Sequence, residues 1–286
     1  ERSKYLIKKQ DFPFCAETNS KFLTDDFLTP AKEQYVRNHN LVPQFDEDFE
    51  EEFRLEISDA KKGFKSFSLK ELIAMKHHEV VAVMACAGNR RSHSLKLYPD
   101  IKGLKWDVGA ISNSSWKGVL VRDLLINSGF TENDLQNLKG KHLVATGLDA
   151  DFQGHVFSIS IPLERALDPT NEVILAYEMN GDKIPADHGY PLRLIVPGYI
   201  GVRNCKWVCK LEISDEEAES HMQRRDYKMI KVQDWSQINF DDYASINANI
   251  PYACIASHKD GDTVQGSRVT LKGYANSNGE NGAKVV

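Results

Sequence analysis

One stretch concentrates groups that can do chemistry: Val80-Val81-Ala82-Val83-Met84-Ala85-Cys86-Ala87-Gly88-Asn89-Arg90-Arg91-Ser92. The apolar and β-branched run reads as a buried strand. It ends on a cysteine, and a Gly-Asn turn and two adjacent arginines come next. A thiolate at the end of a rigid strand, with fixed positive charge nearby, can hold a thiophilic metal and attract an oxyanion. The plainer reading is a buried structural cysteine beside a solvated basic turn. Local chemistry alone favours that reading, because free cysteines are commonly buried.

Other separated residues carry similar potential. In Tyr35-Val36-Arg37-Asn38-His39 the arginine and histidine are two apart, so an extended backbone puts them on one face. Taken alone, a polar surface loop is the favoured reading of this stretch. Asp149 comes after the short strand Leu143 to Thr146, a place where functional loops often lie. Arg193 sits among aliphatic residues after Asp187-His188-Gly189, and a charge there needs a partner. Both an internal ion pair and an anion clamp satisfy that need. Cys205, Trp207, Cys209, Leu211 and Ile213 alternate as one face of a strand, with Lys206 opposite. The two cysteines read as core, since their spacing lacks partner ligands for a metal.

The surrounding pattern predicts elements that would position these groups. Phe53 to Ile57 alternates as a strand. Ser68 with Glu71 forms a capping box that opens a helix. Ile111 to Trp116 reads as an aromatic loop, and Val119, Leu120, Leu124 and Leu125 mark an amphipathic helix. Thr131 with Asp134 opens another short helix. Val156 to Ile161 and Val173 to Met179 are strands, and Asn180-Gly181 is a hairpin turn signal. Ser220 to Lys228 reads as a polar, basic loop. Residues 1–34 show little regular pattern and suggest an extended arm. From about Ile246 short alternating strands appear, including Val269 to Tyr274, like the start of an all-β sandwich. The Asn276 to Lys284 stretch is too polar to build a core.

Composition sets outer bounds. The chain has 286 residues, 41% hydrophobic and 27% charged, as in ordinary globular proteins. No apolar run approaches the ~20 residues of a membrane span. A formal net charge of −5 argues against general nucleic-acid binding. Five cysteines, an odd number in a long chain, do not suggest a disulfide framework. A start at Glu1, without Met or an apolar leader, predicts a processed or trimmed product.

Seven motifs then converge in order: YVRNH at Tyr35–His39, CAGNRR at Cys86–Arg91, GLD at Gly147–Asp149, AYEMNG at Ala176–Gly181, DHGYPLR at Asp187–Arg193, VPGYIGVRNCKW at Val196–Trp207 and RRDYKM at Arg224–Met229. In this the sequence resembles the molybdenum domain of the sulfite oxidase family, which includes assimilatory nitrate reductases. AYEMNG and RRDYKM look more like the sulfite oxidases. The resemblance implies an α+β fold of mixed β-sheets with surrounding helices. It implies an arm over 1–34, a molybdopterin-binding catalytic domain over 35–245, and an incomplete immunoglobulin-like dimerisation domain over 246–286.

By the same resemblance, Cys86 would be the protein thiolate on a molybdenum held by one pterin dithiolene. Tyr35, Val36, Arg37, Asn38, His39, Asp149, His188, Arg193, Asn204, Cys205 and Lys206 would surround the cofactor. Arginine and lysine suit its phosphate, while carboxylate and histidine suit the pterin edge. Arg37, Arg91, Trp106 and Tyr227 would form the sulfite pocket, and oxygen-atom transfer would make sulfate. The family implies cytochrome c or molecular oxygen as electron acceptor. It places any haem on a separate or missing domain, and makes a homodimer conditional on a complete C-terminal domain. A mitochondrial site in the intermembrane space is the expected compartment, with the peroxisome as the alternative. Two other readings stand beside it: a nitrate-reducing relative, and a non-catalytic cofactor-binding fragment. The family's further pocket arginine lies in the C-terminal domain and has no match in this chain. Arg90 is left without a role.

Overall fold

A computed structural model describes residues 2–60, 62–231, 236, 238–259 and 261–277. Positions 278 to 284 of the polar C-terminal stretch therefore lie outside the described residues. The strands, in chain order, are β1 (Ile7–Gln10), β2 (Cys15–Glu17), β3 (Val36–Arg37), β4 (Arg54–Asp59), β5 (Gly63–Ser68), β6 (His78–Ala85), β7 (Ile111–Leu120), β8 (His142–Ala150), β9 (Val156–Pro162), β10 (Ile174–Met179), β11 (Asp182–Lys183), β12 (Arg193–Ile195), β13 (Val208–Ser214), β14 (Tyr252–Ile255) and β15 (Gly273–Asn276).

They form two five-stranded sheets, one three-stranded sheet and one hairpin. The first large sheet runs β11-β10-β7-β6, with β12 also paired to β10. The second runs β5-β4-β13-β8-β9, and its β13–β4 pair is parallel. Short helices at Leu69–Ala74, Val121–Asn127 and Leu163–Leu167 fill between them. Their apolar faces join Leu55, Leu143, Ile159, Leu175, Leu194 and Leu211 in one core. A second core gathers Cys86, Trp106, Trp116, Ala176 and Ile195 around the first sheet. This is the expected α+β architecture with mixed sheets and few helices.

Local chemistry explains several elements directly. Ser68 and Glu71 close a reciprocal capping box, as do Thr131 and Asp134, so both helices start where the sequence places them. Asn180 and Gly181 take φ of 53° and 85°, the left-handed pair a tight β10–β11 hairpin requires.

Several sequence expectations fail. Ile111 to Trp116 is strand, not loop, and β7 extends to Leu120, so the next helix begins at Val121. Serine and asparagine are weak strand formers, but β7 is hydrogen-bonded on both sides, by β6 and β10. Its polar side chains also find partners: Ser112 donates to Gln34, Ser115 to Glu79, and Asn113 to the Phe27 carbonyl. The stretch before Tyr35 is not a patternless arm, because β1 and β2 pair with each other and β2 pairs with β3. Met222–Asp226 is a π-helical turn rather than a loop. Cys205, Trp207 and Cys209 do not form one strand face. Trp207 has φ of 53° and β13 bulges between Val208 and Lys210, so the alternation breaks there.

Near the C-terminus the described residues hold one antiparallel hairpin, β14 with β15. The second strand starts at Gly273 rather than Val269.

Gly118 tests the packing of the first sheet. A Cβ there would lie 2.1 Å from the Leu175 carbonyl oxygen and 2.5 Å from the Ala176 Cα, both backbone atoms in the paired strand. Gly118→Ala is therefore expected to cost about 1–3 kcal/mol in urea unfolding, through forced separation of β7 and β10. An unchanged midpoint would show that the pair can spread freely.

Candidate functional site

The two large sheets and the small N-terminal sheet present their residues to one buried cavity. Cys86 leaves the end of β6, where its N–H donates to the Ala110 carbonyl at 2.9 Å. Tyr35 and Arg37 come from the β3 segment, Asp149 from β8, Phe157 from β9 and Arg193 from β12. Asn204, Cys205 and Lys206 come from the run into β13, and Tyr227 from the end of the π turn. His39 and His188 complete the charged wall.

Cys86 is buried and free, and its Sγ accepts the Gly88 N–H at 3.4 Å. Burial pushes the thiol up, opposed by that N–H and by the charges of Arg37 and Arg91. At neutral pH the thiol keeps its proton until a metal displaces it.

The cavity's cations are held largely by neutral groups. Arg193 donates to the carbonyls of His188 (2.9 Å) and Asn204 (3.4 Å), touches the Met84 Sδ (2.9 Å), and lies 5.2 Å from the Trp116 ring centre. Burial pushes its pKa down to about 10. No carboxylate pairs with it among the described residues. Lys206 donates to Asn38 Oδ1 and to the Asp187 carbonyl (2.9 Å), with its ammonium 4.2 Å from the Trp207 ring centre. Burial and the neighbouring Arg193 push Lys206 down. Asp149 is pushed up by burial, and its Oδ1 is buried without a partner. So the wall presents an open carboxylate acceptor, a lysine near the Asp149 and Asp187 carboxylates, and in Arg193 a buried cation without a carboxylate partner among the described residues. Such groups call for a ligand with N–H donors at one place and an anion at another.

Both histidines are neutral. His188 is pushed down to about 3 by burial and by Arg193 and Lys206. Its Nε2 faces the Ala31 carbonyl at 3.1 Å, so Nε2–H donates and Nδ1 is the acceptor. His39 lies well below the usual imidazole range through burial, Arg37 and Lys206. It stacks on Phe157 with ring centres 5.4 Å apart, and its Nε2 shares a 2.9 Å hydrogen bond with the Tyr227 hydroxyl. Burial holds the Tyr227 phenol above its ordinary range, so the hydroxyl keeps its proton and can donate.

The depressed histidines give a pH dependence with a definite sign. Unfolded, His188 takes up a proton near 6.5; folded, it resists until about 3. Its contribution to stability is present above pH ~6.5 and is lost as pH falls through that window. For the cofactor-free protein, His188→Gln is expected to flatten the fall in unfolding free energy between pH 6 and 4, by up to about 1.4 kcal/mol per pH unit. Parallel curves for parent and variant would remove His188 from that account.

The other residues anticipated from the sequence stand behind the cavity wall. Val36 is buried in strand β3, and Asn38 ties Phe14, Asp187 and Lys206 together. Arg91 packs over Gly88 and Gly103, where an added Cβ would come within 2.6 and 2.8 Å of its guanidinium, and donates to the Leu104 carbonyl at 2.8 Å. Trp106 is buried in the core shared with Cys86. Lys206 turns into the cavity from the run before β13. The sequence reading passed over Gln34, Ser112, Phe157 and Asp187, which also line the cavity. Gln34 adjoins the Tyr35–His39 motif and Asp187 opens the Asp187–Arg193 motif, and those places were the available signal. Ser112 and Phe157 carried none.

Known proteins resemble this chain in sequence and in fold. The oxidoreductase molybdopterin binding domain model matches residues 39–222. Mitochondrial sulfite oxidase of Homo sapiens is 40% identical over 269 residues, covering 93% of this chain and 48% of that protein. Sulfite oxidase of Arabidopsis thaliana is 32% identical over 278 residues, covering 96% and 70%. NADH nitrate reductase 2 of Phaseolus vulgaris is 34% identical over 220 residues, covering 76% and 24%. Among solved structures, the sulfane dehydrogenase SoxCD from Paracoccus pantotrophus superposes with a TM-score of 0.68 at 23% identity, covering 90% of this chain and 59% of that one. The chain spans about half the length of the animal sulfite oxidases it matches.

Proposed function

Because this chain belongs to the sulfite oxidase family of molybdopterin-binding oxidoreductases, we propose that it oxidises sulfite to sulfate with a molybdenum–molybdopterin cofactor bound in the cavity described above. The observation that carries the reading is the meeting of a buried thiol, Cys86, with an unpaired carboxylate oxygen of Asp149 and with Arg193, a buried cation whose partners among the described residues are two carbonyls and a thioether. The donor set fits the group. Cys86 supplies a soft ligand to molybdenum. The open Asp149 oxygen and neutral His188 suit pterin N–H groups and ring nitrogens. Arg193 and Lys206, with the Asn204–Cys205 backbone, suit a phosphate.

When bound, the cofactor supplies two-electron oxygen-atom transfer to sulfite. The protein's own residues bind and orient. Arg37 brings permanent charge to the cavity and donates to the Asn38 carbonyl, leaving guanidinium N–H groups for an oxyanion. Arg91 adds positive charge that reaches Cys86 and Tyr227 without lining the cavity. Tyr227 keeps its proton, and its hydroxyl shares a hydrogen bond with His39 Nε2, the two rings meeting edge to face. Trp106, buried in the same core as Cys86, helps keep water from that core.

The same reading extends to the whole protein. Electrons leave to cytochrome c or molecular oxygen, and any haem belongs to another domain. Residues 35–245 act as the catalytic domain and residues 246–286 belong to a dimerisation domain. The compartment is mitochondrial, as in the names of the animal relatives.

The test is direct. Cofactor-loaded protein is assayed separately with sulfite and nitrate, with molybdenum measured on the same sample. Sulfite turnover with one molybdenum per chain is expected; turnover of nitrate alone would assign the chain to the reductase branch, and loading without either activity to a binding role.

A further inference from the structure

Arg203 takes no part in the cavity chemistry above, yet its side chain is fully buried. It leaves the short turn Gly201–Arg203 and reaches away from the cavity wall formed by its neighbours Val202 and Asn204. Its Nη1 donates to Gln223 Oε1, and its Nε donates to the Ile246 carbonyl at 3.0 Å. These two partners bracket Tyr227. Gln223 is the buried residue of the π turn Met222–Asp226 that ends at Tyr227. Ile246 donates its N–H to the Tyr227 carbonyl at 2.7 Å. Single π turns are uncommon and often sit at functional sites, because the extra residue re-aims the side chains after it. One guanidinium therefore holds the turn before the tyrosine and the strand-like segment bonded to it.

The bracket is extended by polar contacts on the same side. Gln223 Oε1 also accepts the Ser160 N–H at 3.0 Å, and its Nε2 donates to Glu217 at 2.8 Å. Glu217 pairs at 2.7 Å with Lys228, the residue after Tyr227, whose side chain is only 4% exposed. A buried network of this kind has few alternative arrangements, since each broken bond strands a polar group.

We propose that Arg203 is a positioning residue for Tyr227: it fixes the phenol's place in the cavity through Gln223 and Ile246, without itself meeting substrate. The proposal rests on the sulfite reading only for what Tyr227 does once placed. Misplacing a reacting group by about 1 Å costs on the order of a hundredfold in rate. Arg203→Met is therefore expected to lower kcat/KM for sulfite by about tenfold to a hundredfold in the parent background, at equal molybdenum content. In a Tyr227→Phe background it is expected to lower it no further. Losses that multiply across the two backgrounds would overturn the proposal.

A second readout is independent of activity. Protein labelled with 3-fluorotyrosine carries a 19F resonance for Tyr227, identified by its absence in Tyr227→Phe. That line is expected to shift and broaden in Arg203→Met; an unmoved line would overturn the proposal. If Arg203→Met does not fold, Gln223→Met removes the same link and is judged on the same two measurements. If Tyr227→Phe proves to oxidise sulfite at the parent rate, the reading of Tyr227 in turnover fails, while the 19F line still decides whether Arg203 places it.

Discussion

Cys86→Ser is expected to reduce sulfite oxidation more than about a hundredfold while leaving the fold intact. Changing residues around a metal's ligands already costs about 10–100-fold, so removing the ligand itself exceeds that. The substitution is nearly isosteric, and the backbone at this position is held independently of the side chain. The Cys86 N–H is bonded to Ala110, and the Cys86 carbonyl accepts the Asn89 N–H at 2.9 Å. A serine hydroxyl is a hard, weakly acidic oxygen and does not replace a soft thiolate. The checking measurement is molybdenum-normalised sulfite turnover, with thermal unfolding as the control for fold. Turnover at the parent rate would show that Cys86 is only a buried core residue, the reading its local chemistry first favoured.

Arg193→Met should separate cofactor retention from folding, in opposite directions. Arg193 is a fully buried cation whose polar contacts are two carbonyls and a thioether. In the cofactor-free protein that charge is desolvated without an anion to offset it. Replacing it with an apolar side chain of similar length removes the desolvation cost but leaves two carbonyls short of a donor. These effects oppose, and buried charges replaced by apolar groups are often neutral or stabilising. Urea unfolding of the cofactor-free variant is thus expected within about 1 kcal/mol of the parent, or more stable. Cofactor retention is expected to fall about ten- to a hundredfold, since a charge-assisted contact contributes about 1.5–3 kcal/mol. Retention is read as molybdenum and pterin left per chain after gel filtration. A variant that unfolds easily yet keeps its cofactor would invert this account and make Arg193 a structural ion.

Much of the architecture was legible because local rules act locally. The capping boxes at Ser68 and Thr131 and the Asn180-Gly181 hairpin fall where the residues place them. The apolar run ending at Cys86 is strand β6. Strand β7 was not legible: its Ser112-Asn113-Ser114-Ser115 run is made a strand by two neighbours and by side-chain partners distant in sequence. The same holds for β1 and β2, which pair with each other and, through β2, with β3. Lys206 was assigned to the face away from the cysteines, but it precedes β13 and shares the cavity with Cys205.

The Cys86 stretch divides in the same way. By itself the sequence determined that a thiol stands at the end of a buried strand with arginines after it, because hydrophobic alternation and turn chemistry are encoded within a few residues. Its ordered motifs also determined the family. Only the tertiary structure decided that Asp149, His188, Arg193 and Lys206 share one cavity with that thiol. The fold likewise sets Arg91 behind the wall and its neighbour Arg90 outward against the Ala253 carbonyl. The physical reason is that burial, counter-charge and proton affinity are properties of the assembled surroundings. They arise from sheets and loops more than a hundred residues apart, and no local stretch contains them.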